Sequence, residues 1–458
     1  MSRTPPVLVA LSILLGTLLG VPSADFRASD PGVRDGSAGA GDPLPRLTYS
    51  QLDLFNAGKE EFEEADGLGE GLGPRFNLDS CVGCHLQPAS GGTSPPVNPQ
   101  VAVATAFGAN NRVPFFVTAD GPVREARYQY NPDGTRDGGV HALFVISGRV
   151  DESGDASGCD IRQENFLLQA RKDNLVFRIP TPTFGAGLIE QIPDSVIRNN
   201  AAAQEVQKAA LGIFGRPNRI RVSGDTNRTG NDGTITRFGW KAQNKSLLLF
   251  SGEAYNVEMG ITNELFQTER DETATCQLAP TPNNVTNPEG ATPADVLSAI
   301  EKFAFFMRFL APPTPSLTIP GGAGSIENGR ALFQSIGCAL CHTPTLTTGN
   351  AYVAALSNQP VNLYSDLLVH GMGPRLADDI VQGEAGPDEF RTAPLWGLGQ
   401  RIFFLHDGRT TDLLEAILAH KSGPSVRFPA SEAYAVIDRF NDLSEPQKQD
   451  LLNFLRSL

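Results

Sequence analysis

At 458 residues, with 40% hydrophobic and 19% charged side chains, the chain is long enough for two or three domains with sizeable cores. Its net charge of −14 argues against nucleic acid or an anionic membrane surface as partner and leaves room for a cationic protein. Only six Cys and six His are present, so motifs that use them stand out.

In chain order, Arg3 precedes an apolar run from Val7 to Val21, interrupted only by Ser12, Gly16, Thr17 and Gly20 and followed by the small residues Ser23 and Ala24. This reads as a secretory signal peptide over residues 1–24. The run is short for a membrane span, and no second apolar stretch is long enough, so no stable span is expected after cleavage. The expected location is periplasmic or otherwise exported. Residues 25–46 are rich in Asp, Gly, Ser and Pro and are expected to be disordered.

From Thr48 to Ala65, Leu52, Leu54, Phe55, Gly58 and Phe62 recur with helical spacing. A Gly-rich loop from Gly67 to Gly73 leads to Cys81-Val-Gly-Cys84-His85. This C-x-x-C-H pattern is the attachment signature of c-type haem: two thiols bond the haem vinyl groups and the next histidine is placed to ligate the iron. The pattern returns at Cys338-Ala-Leu-Cys341-His342, so two covalent haems are expected. Covalent haem attachment takes place outside the cytoplasm, in agreement with the signal peptide. Cys159 and Cys276 remain; in an oxidising compartment they form a single disulfide or stand as two thiols.

The two motifs share a lead-in. Gly58-x-x-x-Phe62 stands nineteen residues before Cys81, and Gly329-x-x-x-Phe333 stands five before Cys338. Between them, His141 to Ser147 and Leu175 to Pro180 read as extended, Leu188 to Pro193 as a short helical turn, and Gly224 to Gly233 as a polar turn region. A helix is expected from near Asn244 through Tyr255. Thr292 can cap a helix to about Leu310, and Ser444 caps the last helix, with Leu451, Leu452, Phe454 and Leu455 on its apolar side. The expected class is mainly α, with two cytochrome c-like haem domains and long ordered loops: residues 47–312, with a large insertion, and residues 313–458.

Several stretches go further: Arg178-Ile-Pro-Thr-Pro-Thr-Phe-Gly-Ala-Gly-Leu-Ile-Glu190, Phe238-Gly-Trp240-Lys-Ala followed by Glu258-Met259-Gly, Ser365-Asp-Leu-Leu-Val-His370-Gly-Met372-Gly-Pro, and Phe404-Leu-His406-Asp-Gly-Arg409 with Glu415-Ala-Ile-Leu-Ala-His420. Together they resemble the di-haem oxidoreductase family, whose members have also been labelled thiol oxidoreductases. That family is similar to bacterial di-haem cytochrome c peroxidases and to the methylamine-utilisation di-haem enzyme.

The resemblance implies a distal ligand of the C-terminal haem fourteen residues after His406, where His420 stands, opposite His342. His370 and Met372 are the alternatives. It implies that Trp240 lies between the haems and that Glu258, next to Met259, sits over the open N-terminal iron as acid and base. Met259 is a further alternative ligand. The match is imperfect: Trp240 and Glu258 are eighteen apart rather than about twenty, Lys241-Ala-Gln243 replaces Asp-Gly-Arg, and Phe250 falls where the peroxidases carry Gln.

Glu190 and His141 are reserve catalytic groups, and His141 is also a candidate ligand of the first iron. No His follows within fifty residues of His85, which favours an open first haem. The peroxidases bind calcium between their domains; no ligands for it are matched here, and calcium stands as a candidate cofactor that the resemblance implies. The leading expectation is an enzyme of peroxidase type, fed by an electron-donor protein or small reductant and reacting with a small oxidant such as hydrogen peroxide. The competing ones are an electron-transfer cytochrome without its own substrate, an oxygenase, and a redox accessory in metal uptake.

Overall fold

The computed structural model describes residues 26–219 and 235–458. The expected signal peptide and the polar turn region from 224 to 233 lie outside the described residues.

Two helix pairs, one in each half, carry the architecture. In the first, the Tyr49–Glu63 helix crosses the Ala299–Phe309 helix. Thr48 starts it with a reciprocal capping box to Gln51, and Phe55, Gly58 and Phe62 form its buried face. In the second, the Ala323–Ile336 helix crosses the Glu445–Ser457 helix and buries Ile326, Gly329 and Phe333. The shared Gly-x-x-x-Phe now has a physical reason. A Cβ at Gly58 would lie 2.2 Å from the Lys302 carbonyl oxygen, and one at Gly329 would lie 2.0 Å from that of Asp450. Any side chain would force the crossing helices apart. One turn on, Phe62 lies 6.0 Å from the His85 ring and Phe333 lies 6.3 Å from the His342 ring. The glycine sets the crossing and the phenylalanine abuts the histidine of the motif.

The mainly α expectation holds in part. Among the described residues there are fourteen α-helices, but also eleven strands of two to four residues. The longest, Glu125–Tyr128 and Leu175–Arg178, pair antiparallel, with Val140–His141 on the other edge of Glu125–Tyr128. The rest of the large middle region is loop broken by short helices, Asp194–Ala202 the longest before the Leu247–Met259 helix, so the helical pairs sit in an irregular shell. No helix of the described residues is long and apolar enough to cross a membrane.

Three local expectations are corrected. The helix expected from Thr292 is broken: Thr292 caps only Pro293–Val296, and Ser298 begins the Ala299–Phe309 helix with its own capping box to Glu301. A second capping residue six positions on outcompetes continuation. The Pro- and Gly-rich stretch from Ala311 to Gly324 is expected as the linker between the halves, but Gly324 lies in the first turn of the Ala323–Ile336 helix. Residues 26–46, expected to be disordered, are packed. The Leu44 amide donates to Phe309 (2.7 Å), and Asp30 accepts from Arg456 Nε and Nη2 at 2.7 and 2.6 Å. Composition alone missed this because an ion pair to a buried arginine, with only Ala28, Ala40 and Leu44 as buried apolar anchors, holds the segment.

Candidate functional site

Two cavities face the two Cys-x-x-Cys-His motifs. The first, of about 460 Å³, is lined by Cys81, Cys84, His85, Glu125, Trp240 and Glu258 among others. Ser80 caps the short Cys81–Cys84 helix, its Oγ accepting from the Gly83 amide (3.3 Å). His85 donates its Nδ1–H to the Gly92 carbonyl (2.9 Å), which leaves the Nε2 lone pair free as a ligand.

Two carboxyl groups meet in this cavity. Glu258 stands near the end of the Leu247–Met259 helix, which Ser246 caps and Gly260 closes in the left-handed conformation. Asn77 Nδ2 donates to Glu258 Oε2 (2.8 Å), while Asn77 Oδ1 accepts from the Leu143 amide (2.9 Å) and so fixes the amide's orientation. Glu125, on the Glu125–Tyr128 strand, shares a hydrogen bond with Glu258, and Arg127 Nε donates to Glu125 Oε1 (2.5 Å). Burial and the Glu125 charge push Glu258 well above the usual carboxylate range. Burial disfavours charge on Glu125 too, but Arg127 outweighs it and holds Glu125 low. The surroundings therefore favour a proton shared by the pair, with Glu258 pushed toward the protonated form and Glu125 toward the charged one.

The second cavity, of about 220 Å³, is lined by Cys338, Cys341, His342, His420, Met372 and His406 among others. His342 donates Nδ1–H to the Tyr364 carbonyl (3.0 Å) and His420 donates to that of Ala416 (2.8 Å). Both Nε2 atoms are thereby left to a ligand. Burial pushes His342 down to about 4 and lowers His85 and His420, so all three rings are neutral, as metal ligands must be.

His370 also lines this cavity, but both its nitrogens face carboxylates, Nδ1 at Glu432 Oε2 (2.7 Å) and Nε2 at Asp366 Oδ2 (3.0 Å). Neither nitrogen is free for iron. Met372 donates its amide to Asp388 (2.8 Å) and borders the cavity. Cys341, Asp366 and His370 are the one close cluster of potential metal ligands found among the described residues. It offers a single oxygen donor and does not fit calcium, which takes six to eight oxygens.

Trp240 lines both cavities. Its indole Nε1–H donates to the Ile179 carbonyl (2.8 Å), its ring lies 6.4 Å from that of His406, and the Arg401 guanidinium lies 5.7 Å from its centroid.

The reserve groups lie elsewhere. Glu190 lines neither cavity; its carboxylate accepts from the Leu247 amide (2.9 Å) and Arg308 Nε (2.8 Å), a cap and an ion pair that hold the Leu247–Met259 helix. His141 also lines neither; Nε2–H donates to Asp137 (2.8 Å) and the ring stacks on Tyr128 at 3.5 Å. Met259 lines the first cavity with its Sδ 3.9 Å from Cys81 Sγ, and Phe250 lines it stacked on Phe238. Sequence reasoning missed Glu125, Arg127, Arg391 and Arg401. Arg124-Glu-Ala-Arg127 has three charged residues in four and matches no motif, and only tertiary packing buries it.

The residues fit a haem at each motif. Cys81, Cys84, Cys338 and Cys341 are free thiols, each pair followed by a histidine with an available Nε2, while Cys159 and Cys276 are joined in a disulfide with Cα atoms 4.8 Å apart.

A family model described as "Di-haem oxidoreductase, putative peroxidase" matches residues 123–458. No curated protein matches the chain. Among solved structures, a MauG-like protein associated with microbial copper homeostasis is 19% identical over 54% of this chain and 78% of its own, with a TM-score of 0.28. The diheme peroxidase BthA from Burkholderia thailandensis is 15% identical over 61% of this chain and 86% of its own, with a TM-score of 0.29. Hydrazine synthase of Kuenenia stuttgartiensis is 17% identical over 36% of this chain, with a TM-score of 0.23, and the chain spans 56% of its length. Likenesses this loose carry no argument about activity.

Proposed function

This chain belongs to the di-haem oxidoreductase family, and from that premise we propose that it is an exported, peroxidase-like enzyme with two covalently held c-type haems. The observation that carries the reading is the asymmetry between the cavities. His342 and His420 both offer Nε2 to the second, whereas His85 is the one histidine lining the first, together with the Glu125–Glu258 pair.

Cys81 and Cys84 would hold one haem with His85 as ligand, and Cys338 and Cys341 the other with His342 and His420. Haem iron supplies one-electron exchange and, where a coordination position is open, a place for a small oxidant such as hydrogen peroxide. Cleaving a peroxide needs a proton moved from one oxygen to the other. Glu258 Oε is the group for this: Asn77 orients it, and sharing a proton with Glu125 lets the pair give a proton and take one back. Arg127 keeps the second carboxylate charged. Trp240, bordering both cavities, supplies the protein's part of the electron path between them. The electrons come from an external donor protein or small reductant at the C-terminal half. The Cys159–Cys276 disulfide supports an oxidising, exported location.

The test joins two measurements. Pyridine haemochrome assay of denatured protein should find two haems per chain, and ferric protein should show one high-spin and one low-spin centre and react with hydrogen peroxide when reduced or mixed-valence. Two low-spin centres inert to peroxide would make the protein an electron-transfer cytochrome instead. Reaction with dioxygen alone would favour the oxygenase reading, and redox turnover of a bound metal ion the uptake accessory.

A further inference from the structure

Arg391 and Arg401 form an unusual pair. Both line the second cavity, and both also border a small void beneath Trp240. Arg401 is only 8% exposed. Burial pushes Arg391 down to about 10, helped by the neighbouring charge of Arg401, and burial pushes Arg401 down to about 10 as well. Among the described residues neither guanidinium has an ion-pair partner. Their Nε atoms are satisfied by backbone, Arg391 by Gly239 (2.9 Å) and Arg401 by Phe403 (3.0 Å). Arg401 Nη2 is buried with no hydrogen-bond partner at all. Two like charges side by side, one with an orphaned donor, are expensive in a protein interior unless an anion completes the site.

The cavity's opposite character identifies the anion. Cys338 and Cys341 pack with Leu211, Ile213, Leu340 and Val436 into an apolar cluster. The guanidiniums belong instead to the wall shared with Trp240: the Arg391 amide donates to the Trp240 carbonyl (2.8 Å), and Arg401 lies over the indole. A c-type haem is amphipathic in the same sense, with two propionate carboxylates on the half of the macrocycle opposite the thiol-bonded vinyl groups. Arg is the side chain suited to carboxylates, through its planar fork of donors.

We propose that Arg391 and Arg401 bind the propionate carboxylates of the C-terminal haem. This rests on the reading that the second cavity holds a haem, and it adds two cofactor-binding residues on the side of the cavity that meets Trp240. It also makes the pair a determinant of that haem's reduction potential. Two nearby positive charges favour the ferrous form, and removing one favours the ferric form.

Spectroelectrochemical titration of the intact di-haem protein tests this. With haem stoichiometry and the low-spin spectrum retained, Arg401→Gln and Arg391→Gln should each lower the potential of the low-spin centre by about tenfold in the one-electron equilibrium constant, equivalent to about 59 mV. Arg401→Lys, which keeps the charge and loses the fork, should restore most of the potential while still shifting the propionate bending band in resonance Raman. If Arg401→Gln proves unstable, the Lys variant decides alone: a shifted band supports the assignment, and an unmoved band overturns it. Unchanged potentials in the Gln variants overturn it too. Failure here would leave the peroxide reaction intact, whereas failure of the peroxidase reading would leave these shifts intact.

Discussion

His342 and His420 line one cavity from two separate elements, and each gives its Nδ1–H to a backbone carbonyl, of Tyr364 at 3.0 Å and of Ala416 at 2.8 Å. Such bonds set the tautomer and turn the Nε2 lone pair toward a metal. His420→Gly should therefore convert the low-spin centre to high-spin or to a new ligand set, seen by electron paramagnetic resonance. His370, held between Asp366 and Glu432, should not replace it; an unchanged spectrum would pass the role to Met372.

The Glu125–Glu258 pair makes a two-part prediction. Glu258→Gln keeps the size of the side chain but cannot shuttle a proton, so stopped-flow reaction with hydrogen peroxide should slow by about 10²–10⁴-fold with both haem spectra intact. Glu125→Gln removes a carboxylate that raises Glu258, so the pH–rate profile should move toward lower pH. A profile that stays in place would mean the two carboxyls do not act together.

Trp240→Phe retains an aromatic ring on the wall between the cavities and loses the indole bond to the Ile179 carbonyl. The expected stability cost is about 0.5–1.5 kcal/mol. Transient absorption should show slower electron delivery between the centres with peroxide binding unaffected. Equal rates would leave Trp240 as packing only.

Asp66 predicts a pH dependence of stability. Burial, helped by the Glu70 charge, raises it from 3.8 to about 8, although the Tyr255 hydroxyl donates to its Oδ1 (3.2 Å). Between those values the folded state keeps a proton that the unfolded chain has released. The contribution is fully present below about pH 4 and is lost as pH rises through about 8. Asp66→Asn should flatten the fall in thermal midpoint across that window. A fall as steep as in wild type would assign it to another group, Glu269 first, which burial raises to about 7.

The Cys159–Cys276 disulfide links residues 117 apart. Closing so long a loop restricts the unfolded chain strongly, so the double Cys→Ser variant should lose about 2–4 kcal/mol in denaturant unfolding. A loss near zero would mean that the surrounding loops hold without the bond.

Sequence alone determined what is local. The two C-x-x-C-H motifs are contiguous, so their chemistry is legible without a fold. The cap at Ser444 and the Gly-x-x-x-Phe lead-ins obey short-range rules of helix geometry, and they stand where those rules put them. His420 and Trp240 were reached through family resemblance, because nothing in their own neighbourhood announces a partner. What only the tertiary structure decided is which charges are buried and against what. Glu125 meets Glu258 across 133 positions of sequence, and Arg391, at the end of the Glu389–Arg391 strand, and Arg401, in a loop, come to Trp240 from the other half. Glu190 and His141, plausible as catalytic groups from their chemistry, are taken by Arg308 and Asp137 instead. An ionisable side chain acquires a function through its neighbours and its loss of water, and both are properties of packing rather than of spacing along the chain.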